Sequence, residues 1–481
     1  MKMRLSILTA SVAALQTTVS ATSTPDIQQK LGPKLSGSSS IVLSSSAAPR
    51  WSEYEAPRAQ IVVNIGSERD VAETVKYCNE NRLGFLAQTS GHGWANTWTL
   101  SQKDVIINMR SLNTVKVDKS KKTATIGGGA IIKEIVDEVY RNQMHVLAGG
   151  CNCVGTGFML GGGLGRLMGE YGLAIDNLLS LNLVTAEGKA ITVTTNSPSS
   201  DLWWALRGAG HNFGIVTSYV VKAYPWINGG IHWSGNVIFS GDQVEAVTQA
   251  IDKLVFQKPM SIHYYFAVDP SSHQPVIIVN PFYAGKEKDA RKAFKPILDL
   301  KFLADTTGPI AWNELNASGD FFCDKGGRKP AYSAGLKKMD PKAFKNIWDA
   351  YVKFLNKNGV DKVGRSAVLV ECYSYVTARA IDRSSTAYPH RDVNFQAVIL
   401  AWYDDKAFDK EAEKLGTYVR DQWLSTSGLH RDHVYVNFAR GDETLNTIYG
   451  ESWRTRKLTT VKSKWDPKGR FSQYFPIPAG Y

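Results

Sequence analysis

The 481-residue chain is 43% hydrophobic and 21% charged, an ordinary globular composition with apolar material for two or three domains or subdomains. Its 56 Lys and Arg against 44 Asp and Glu give a net charge of +12, but the cations do not gather: the densest run is Arg454 to Lys464, and Lys337-Lys338 is the next. With no helix-turn-helix, RRM or finger pattern beside them, nucleic acid is excluded as the expected partner, and the charge points to solubility or to attraction for an anionic cofactor or substrate.

Lys2 and Arg4, the apolar stretch Leu5 to Leu15 and the small residues Val19-Ser20-Ala21 make the three parts of a secretory signal over residues 1–21. The mature chain is expected to start near Thr22 in a secretory or extracellular compartment. The apolar stretch is too short to span a bilayer, and no later segment has the ~18 consecutive apolar residues of a membrane helix. A Ser/Pro-rich lead over 22–50, with Ser38 to Ser40 and Ser44 to Ser46, reads as loose, and the ordered part is expected to open near Trp51.

Gln60 to Val63 is strand-like. Ser67 followed by Asp70 gives a capping pattern for a helix to about Asn81. Phe85 to Ala87 is a short strand leading into Gln88-Thr89-Ser90-Gly91-His92-Gly93-Trp94. Val105 to Met109 and Thr123 to Gly127 are further strands, and Ile131 to Arg141 has the apolar period of an amphipathic helix. Leu181 to Thr195 is a hairpin turning at Glu187-Gly188. A helix over Asp201 to Gly210 and a strand over Ile215 to Ala223 complete a first unit, 51–225.

From about Trp226 the texture changes to long alternating strands (Ser261 to Val268, Pro275 to Pro281, Ser366 to Tyr375, Asn394 to Tyr403). Helices over Asp289 to Leu298, Pro341 to Lys357 and Lys406 to Leu424 separate them. This predicts an antiparallel second unit, 226–433, in an α+β chain. The last stretch, 434–481, is too short for a domain and is expected to fold back onto the first unit.

Glycine clusters at Gly127-Gly128-Gly129, Gly149-Gly150 and Gly161-Gly162-Gly163 mark turns, or close approach of backbone to a ligand. The five cysteines, Cys78, Cys151, Cys153, Cys323 and Cys372, are an odd set with no zinc spacing, so no metal is expected and at least one thiol stays unpaired. Cys151 and Cys153 are too close in sequence to bridge each other easily. His92 and Cys151 each sit in a glycine-rich turn. An imidazole and a thiol beside bare backbone suit a flat electrophilic cofactor held from two sides, which points to a tethered flavin. Asn316-Ala317-Ser318 is a glycosylation sequon.

Gly149-Gly150-Cys151-Asn152-Cys153-Val154-Gly155, Gly161-Gly162-Gly163-Leu164-Gly165 and Tyr171-Gly172-Leu173-Ala174-Ile175-Asp176-Asn177 resemble the berberine bridge enzyme-like flavoproteins. That family has the vanillyl-alcohol oxidase type of FAD-binding fold. Ser90-Gly91-His92 is similar to its pyrophosphate loop. Asp201 to Gly208 with Phe213 to Thr217, Thr386 to Arg391, Tyr435 to Phe438, Tyr449-Gly450 and the segments from Val461 to Phe471 follow in the family's order. The resemblance covers nearly all of the mature chain and fits a fungal member.

The resemblance implies a two-part FAD-binding domain and an antiparallel substrate domain covered by helices. It implies FAD linked 8α to His92 and through a 6-S-cysteinyl bond to Cys151. Ser90, Gly91 and Gly93 would serve the pyrophosphate; Gly155, Gly161, Gly162, Gly163, Asn177, Ile215, Val216 and Asn437 would lie at the cofactor. The family often has Pro-Thr where this chain has Asn152-Cys153, so Cys153 stays open as an alternative linking residue. Val154, three residues after Cys151, resembles the oxygen-reactive members and implies an oxidase that makes hydrogen peroxide from O2.

Hydride loss from an alcohol needs a base for the proton. Phe438 replaces the second Tyr of the family's Tyr-x-Asn-Tyr motif, so a base there is lost. Candidates are Tyr435, and Glu371 and Tyr373, which strand alternation places on one face. The expected substrate is a small-molecule secondary metabolite undergoing alcohol oxidation, desaturation, or oxidative cyclisation or coupling, in a monomeric enzyme. The alternatives are an oligosaccharide oxidase acting at the anomeric carbon, an enzyme using FAD non-covalently, and a non-catalytic secreted binding protein.

Overall fold

A computed structural model describes residues 24–480. The signal over 1–21 and the start near Thr22 lie outside the described residues.

The lead is not loose. Thr24–Lys30 is a helix that buries Ile27, with Leu31 beneath its end, and Ser40–Val42 pairs antiparallel with Ile61–Asn64. The serines act as turn groups: the Ser36 amide and hydroxyl both donate to the Asp70 carboxylate at 2.7 Å. Asp70 is thereby held by the lead while its own N–H donates to the Ser67 cap of the helix Glu68–Glu80.

Two sheets form the first unit. One runs Ser40–Val42, Ile61–Asn64, Val105–Asn108, Phe85–Gln88, with the last three strands parallel. Ile61 to Val63 and Val105 to Ile107 are buried throughout, as continuous apolar runs in parallel strands require. The second sheet is antiparallel: Val115–Asp118, Thr123–Gly127, Ile215–Lys222, Leu178–Val184, Ala190–Thr194. Val71, Val75 and Cys78 of the helix Glu68–Glu80 join a core with Ile61, Val63 and Ile107 of the first sheet and Val184 and Ile215 of the second.

The second unit is a nine-stranded sheet. Its centre runs Pro275–Tyr283, Met260–Val268, Ala367–Tyr373, Phe395–Leu400, Ala331–Leu336, all antiparallel. Alternation divides its faces. Ile262, Tyr264, Phe266, Val368, Val370 and Cys372 pack against residues of Val244–Asp252, Pro341–Asn358 and Asp409–Thr426. The intervening residues, including His263, Tyr265, Leu369 and Glu371, face the other way, into a cavity. The helix expected over Asp289 to Leu298 is two, Glu287–Ala293 and Lys295–Leu298, because Pro296 lacks the N–H that would continue the first.

The C-terminal stretch packs on the first unit. Leu458 and Val461 of the helix Ser452–Trp465, with Phe475 and Ile477, enter the core around Leu202, Trp203 and Phe213. Lys462 and Asp466, both fully buried, pair at 2.7 Å, and Lys462 also donates to the carbonyls of Asn212 and Phe471.

Candidate active site

A cavity of about 400 Å3 lies between the first unit and the open face of the nine-stranded sheet. The turn after Phe85–Gln88 supplies one wall. Gly91 takes φ +74°, a left-handed conformation that favours glycine, and an added Cβ there would meet Gln88 and the Pro49 carbonyl. Trp51 stacks on His92 with ring centroids 4.4 Å apart and planes 15° apart, and the Trp51 backbone N–H donates to the Gly91 carbonyl. The Arg50 guanidinium donates to the Gly93 carbonyl at 2.5 Å. Among the described residues, the amides of Ser90, Gly91, His92 and Gly93 have no protein acceptor. Successive free N–H groups on one turn form an anion cradle.

Burial, then the Lys329 and Arg50 cations, depress the His92 pKa to about 3, so its imidazole is neutral. Lys329 is itself buried, with its ammonium 4.6 Å over the Trp51 ring and donating to the carbonyls of Asp324 and Gly326. Burial pulls its pKa down to about 7.

Cys151 faces His92, with Sγ 4.0 Å from Nε2. Burial pushes this thiol up to about 11, so it is not a ready thiolate. Cys153 lies 3.5 Å from Cys151 but is bonded to Cys323, 170 residues away. The disulfide corrects the open alternative: Cys153 has no thiol to offer, whereas Cys151, Cys78 and Cys372 are free. It also staples the segment Ala317–Cys323 over the Cys151 turn, with the Asn152 amide donating to Asp320 at 2.8 Å. Asn316 donates its side-chain amide to the Gly149 carbonyl at 3.1 Å.

Ser90, Gly91, Gly93, Val154, Gly155, Ile215, Val216 and Asn437 all line the cavity. Gly161, Gly162, Gly163 and Asn177 are not among the residues that line it. A Cβ at Gly161 would collide with Asn437, at Gly162 with Tyr388 and at Gly163 with Ala174, so these glycines make room for protein. The buried Asn177 amide donates to the carbonyls of Tyr171 and Leu173 and receives the Tyr224 hydroxyl, a structural tie.

Tyr435 lines the cavity, but its hydroxyl accepts from the Gly163 amide at 3.0 Å and the Asn437 amide at 2.6 Å. Burial also raises its pKa, so it is a poor base. Glu371 is better placed. It borders the cavity, burial pushes its pKa up to about 7, and a hydrogen bond from Tyr373 and the Arg166 charge oppose that rise. Tyr373 itself is buried beneath it. His263 stands directly across from Glu371 on the neighbouring strand.

Sequence reading missed Trp51, His211, His263, Tyr265 and Phe322, which line the cavity, and Arg166, which lies behind His263. Their partners are far along the chain, and no local motif marks them. Alternation along Met260–Val268 was the one available signal, since it puts His263 and Tyr265 on a single face.

Residues 59–194 match the FAD binding domain family. The FAD-linked oxidoreductase anuG of Penicillium roqueforti (strain FM164) is 33% identical over 94% of this chain and 92% of its own. Among solved structures, Physcomitrella patens BBE-like 1 superposes with a TM-score of 0.82 at 19% identity, covering 95% of this chain and 99% of that one. Glucooligosaccharide oxidase from Acremonium strictum has a TM-score of 0.78 at 18% identity, covering 90% and 94%. Likeness at such identities shows the fold, while the closer relative shows the family and removes the non-catalytic alternative. An α+β chain with an anion cradle, a facing imidazole and thiol, and this kinship belongs to the fungal berberine bridge enzyme-like FAD-linked oxidoreductases.

Proposed function

We propose that the protein is a secreted oxidase carrying its FAD on two bonds, 8α to His92 and 6-S to Cys151. The observation that supports this most is a neutral imidazole 4.0 Å from a free thiol at the cavity wall, with Cys153 withdrawn into a disulfide. The Acremonium strictum enzyme is described as having a 6-S-cysteinyl, 8α-N1-histidyl FAD. The amides of Ser90, Gly91 and Gly93 would hold the pyrophosphate.

When bound, FAD supplies a hydride acceptor and returns two electrons to O2 as H2O2. Val154 leaves little side-chain bulk at the cavity wall, in keeping with access for oxygen. Glu371 takes the proton that an alcohol substrate loses with its hydride. A carboxylate titrating near neutrality is matched to that task.

Beside His263, Tyr265 and Glu371, the open face of the sheet carries an apolar cluster. Trp51, Val398 and Leu400 form one cluster with Phe322, Leu369 and Phe438. A sugar needs a partner for each buried hydroxyl, so this surface favours a compact, largely apolar secondary metabolite over an oligosaccharide. The reading is tested by assaying peroxide release with hydroxylated polyketides and alkaloids beside cello- and chito-oligosaccharides. Turnover of the first group alone is expected; turnover of the sugars alone would reverse the substrate assignment.

A further inference from the structure

Behind Glu371 lies a buried guanidinium that the chemistry above leaves unused. Arg166 is 6% exposed. Its Nη2 donates to His263 Nδ1 at 3.0 Å and to the Asn280 side-chain oxygen, Nη1 reaches the Asn280 carbonyl at 3.4 Å, and Nε–H has no acceptor. Neutral groups alone hold this cation, and a buried charge without a bonded counter-charge is costly.

Hydrogen-bond direction gives it a purpose. A guanidinium can only donate, so His263 Nδ1 must carry the lone pair and the imidazole proton must sit on Nε2. The Tyr265 hydroxyl lies 3.2 Å from the same Nδ1. His263 Nε2–H then donates to the Tyr373 hydroxyl at 3.1 Å. Having accepted, that hydroxyl keeps its own proton for Glu371, whose side chain lies two residues back on the same face of the strand. Each link fixes the next, and a donor aimed at a carboxylate favours its ionised form. Gly150 has the room of a glycine because His263 occupies the place of its Cβ, so the chain runs directly under the Cys151 turn.

The groups whose charge bears on Glu371 come from five elements. Tyr373, Tyr375 and Cys372 are on or just past its own strand, and Tyr265 is on the neighbouring one beside uncharged His263. Cys151 comes from the cofactor loop, Tyr435 from the C-terminal segment and Arg166 from the turn after the triple glycine. Arg166 is the cation among them.

We propose that Arg166 is a positioning residue: through His263 and Tyr373 it sets the direction of one hydrogen-bond chain that ends on Glu371 and keeps that carboxylate ionised for proton removal. The proposal rests on Glu371 being the base, but its test reads the chain without turnover.

In holoprotein labelled with 15N-histidine, two-bond 1H–15N correlation reads the His263 tautomer, with His263→Gln assigning the signal. Infrared difference spectra, assigned with Glu371→Gln, follow the carboxyl band of Glu371 with pH. Wild type is expected to show neutral, Nε2-protonated His263. In Arg166→Met the tautomer should become mixed and the Glu371 midpoint should rise by about one pH unit. Arg166→Lys, which also only donates, should restore the single tautomer. Tyr373→Phe should raise the Glu371 midpoint while His263 keeps its tautomer. That variant and the wild-type spectrum decide the matter even if Arg166→Met does not fold. A proton on Nδ1 in wild type, or an unmoved Glu371 midpoint in Tyr373→Phe, overturns the proposal. Full turnover by Glu371→Gln would instead overturn the base assignment while the spectra still report the chain, so the two failures are distinct.

Discussion

Cys151 Sγ stands 4.0 Å from His92 Nε2 across two glycine-rich turns that are 59 residues apart in sequence. Burial acts on the two groups with opposite chemical effect. It keeps the imidazole neutral, which leaves a nucleophile, and it keeps the thiol protonated, which removes one.

The two tethers are therefore expected to differ in pH response. Between about pH 7 and 9 the thiolate fraction of Cys151 rises about tenfold per pH unit, because its pKa lies at about 11. Formation of the cysteinyl bond should accelerate accordingly, whereas the histidyl bond should form at a nearly constant rate. Intact-mass and peptide analysis of apoprotein incubated with FAD at several pH values checks this.

Cys153→Ser or Cys323→Ser should destabilise the protein by about 2–5 kcal/mol, the usual cost of losing a native disulfide. The bond closes a separation of 170 residues and pins the segment Ala317–Cys323 over the Cys151 turn. Calorimetry should show a lowered Tm. Under the proposed linkage through Cys151, covalent flavin should remain in both variants.

Glu371→Gln should cut turnover by about 10²- to 10⁴-fold, the range for loss of a general base. In the wild type, activity should rise with pH through about 7 as burial-shifted Glu371 ionises. Rates measured across pH with any accepted substrate read that limb, which should vanish in the variant.

Tyr435→Phe should lower turnover by less than about tenfold, since the hydroxyl already serves Gly163 and Asn437. It should cost about 1–3 kcal/mol of stability by leaving buried donors without an acceptor. A denaturant titration beside the rate assay separates these effects.

Acid should destabilise the fold well before the carboxylates titrate. Burial lowers His145 and His211 to about 3 and His232 to about 4, against an ordinary value of 6.5. Below pH 6.5 the unfolded chain binds protons that the folded one refuses, so stability falls as pH drops from about 6.5 toward 4. The slope is up to about 1.4 kcal/mol per pH unit for each histidine. Urea unfolding across that range measures it.

Local chemistry was legible in the sequence; long-range pairing was not. The His92 and Cys151 turns could be read because glycine density and nucleophile type are local, and strand alternation put Glu371 and Tyr373 on one face. The Cys153–Cys323 bond, the Trp51 stack on His92 and the Arg166–His263 contact join residues far apart, and periodicity does not encode partners. The triple glycine shows the limit. Sequence says that no side chain fits at Gly161 to Gly163, but only the fold says that a Cβ there would meet Asn437, Tyr388 and Ala174. The Ser-rich lead misled for a related reason: its serines look like linker until Asp70 is placed beside Ser36.

The central claim, a flavin on two tethers, is tested most directly by acid precipitation of the purified protein, with His92→Ala, Cys151→Ala and the double variant beside it. Yellow colour should stay in the pellet for wild type and for each single variant, and should move to the supernatant only in the double variant. Colour released from the wild type, or fully retained by the double variant, would contradict the account.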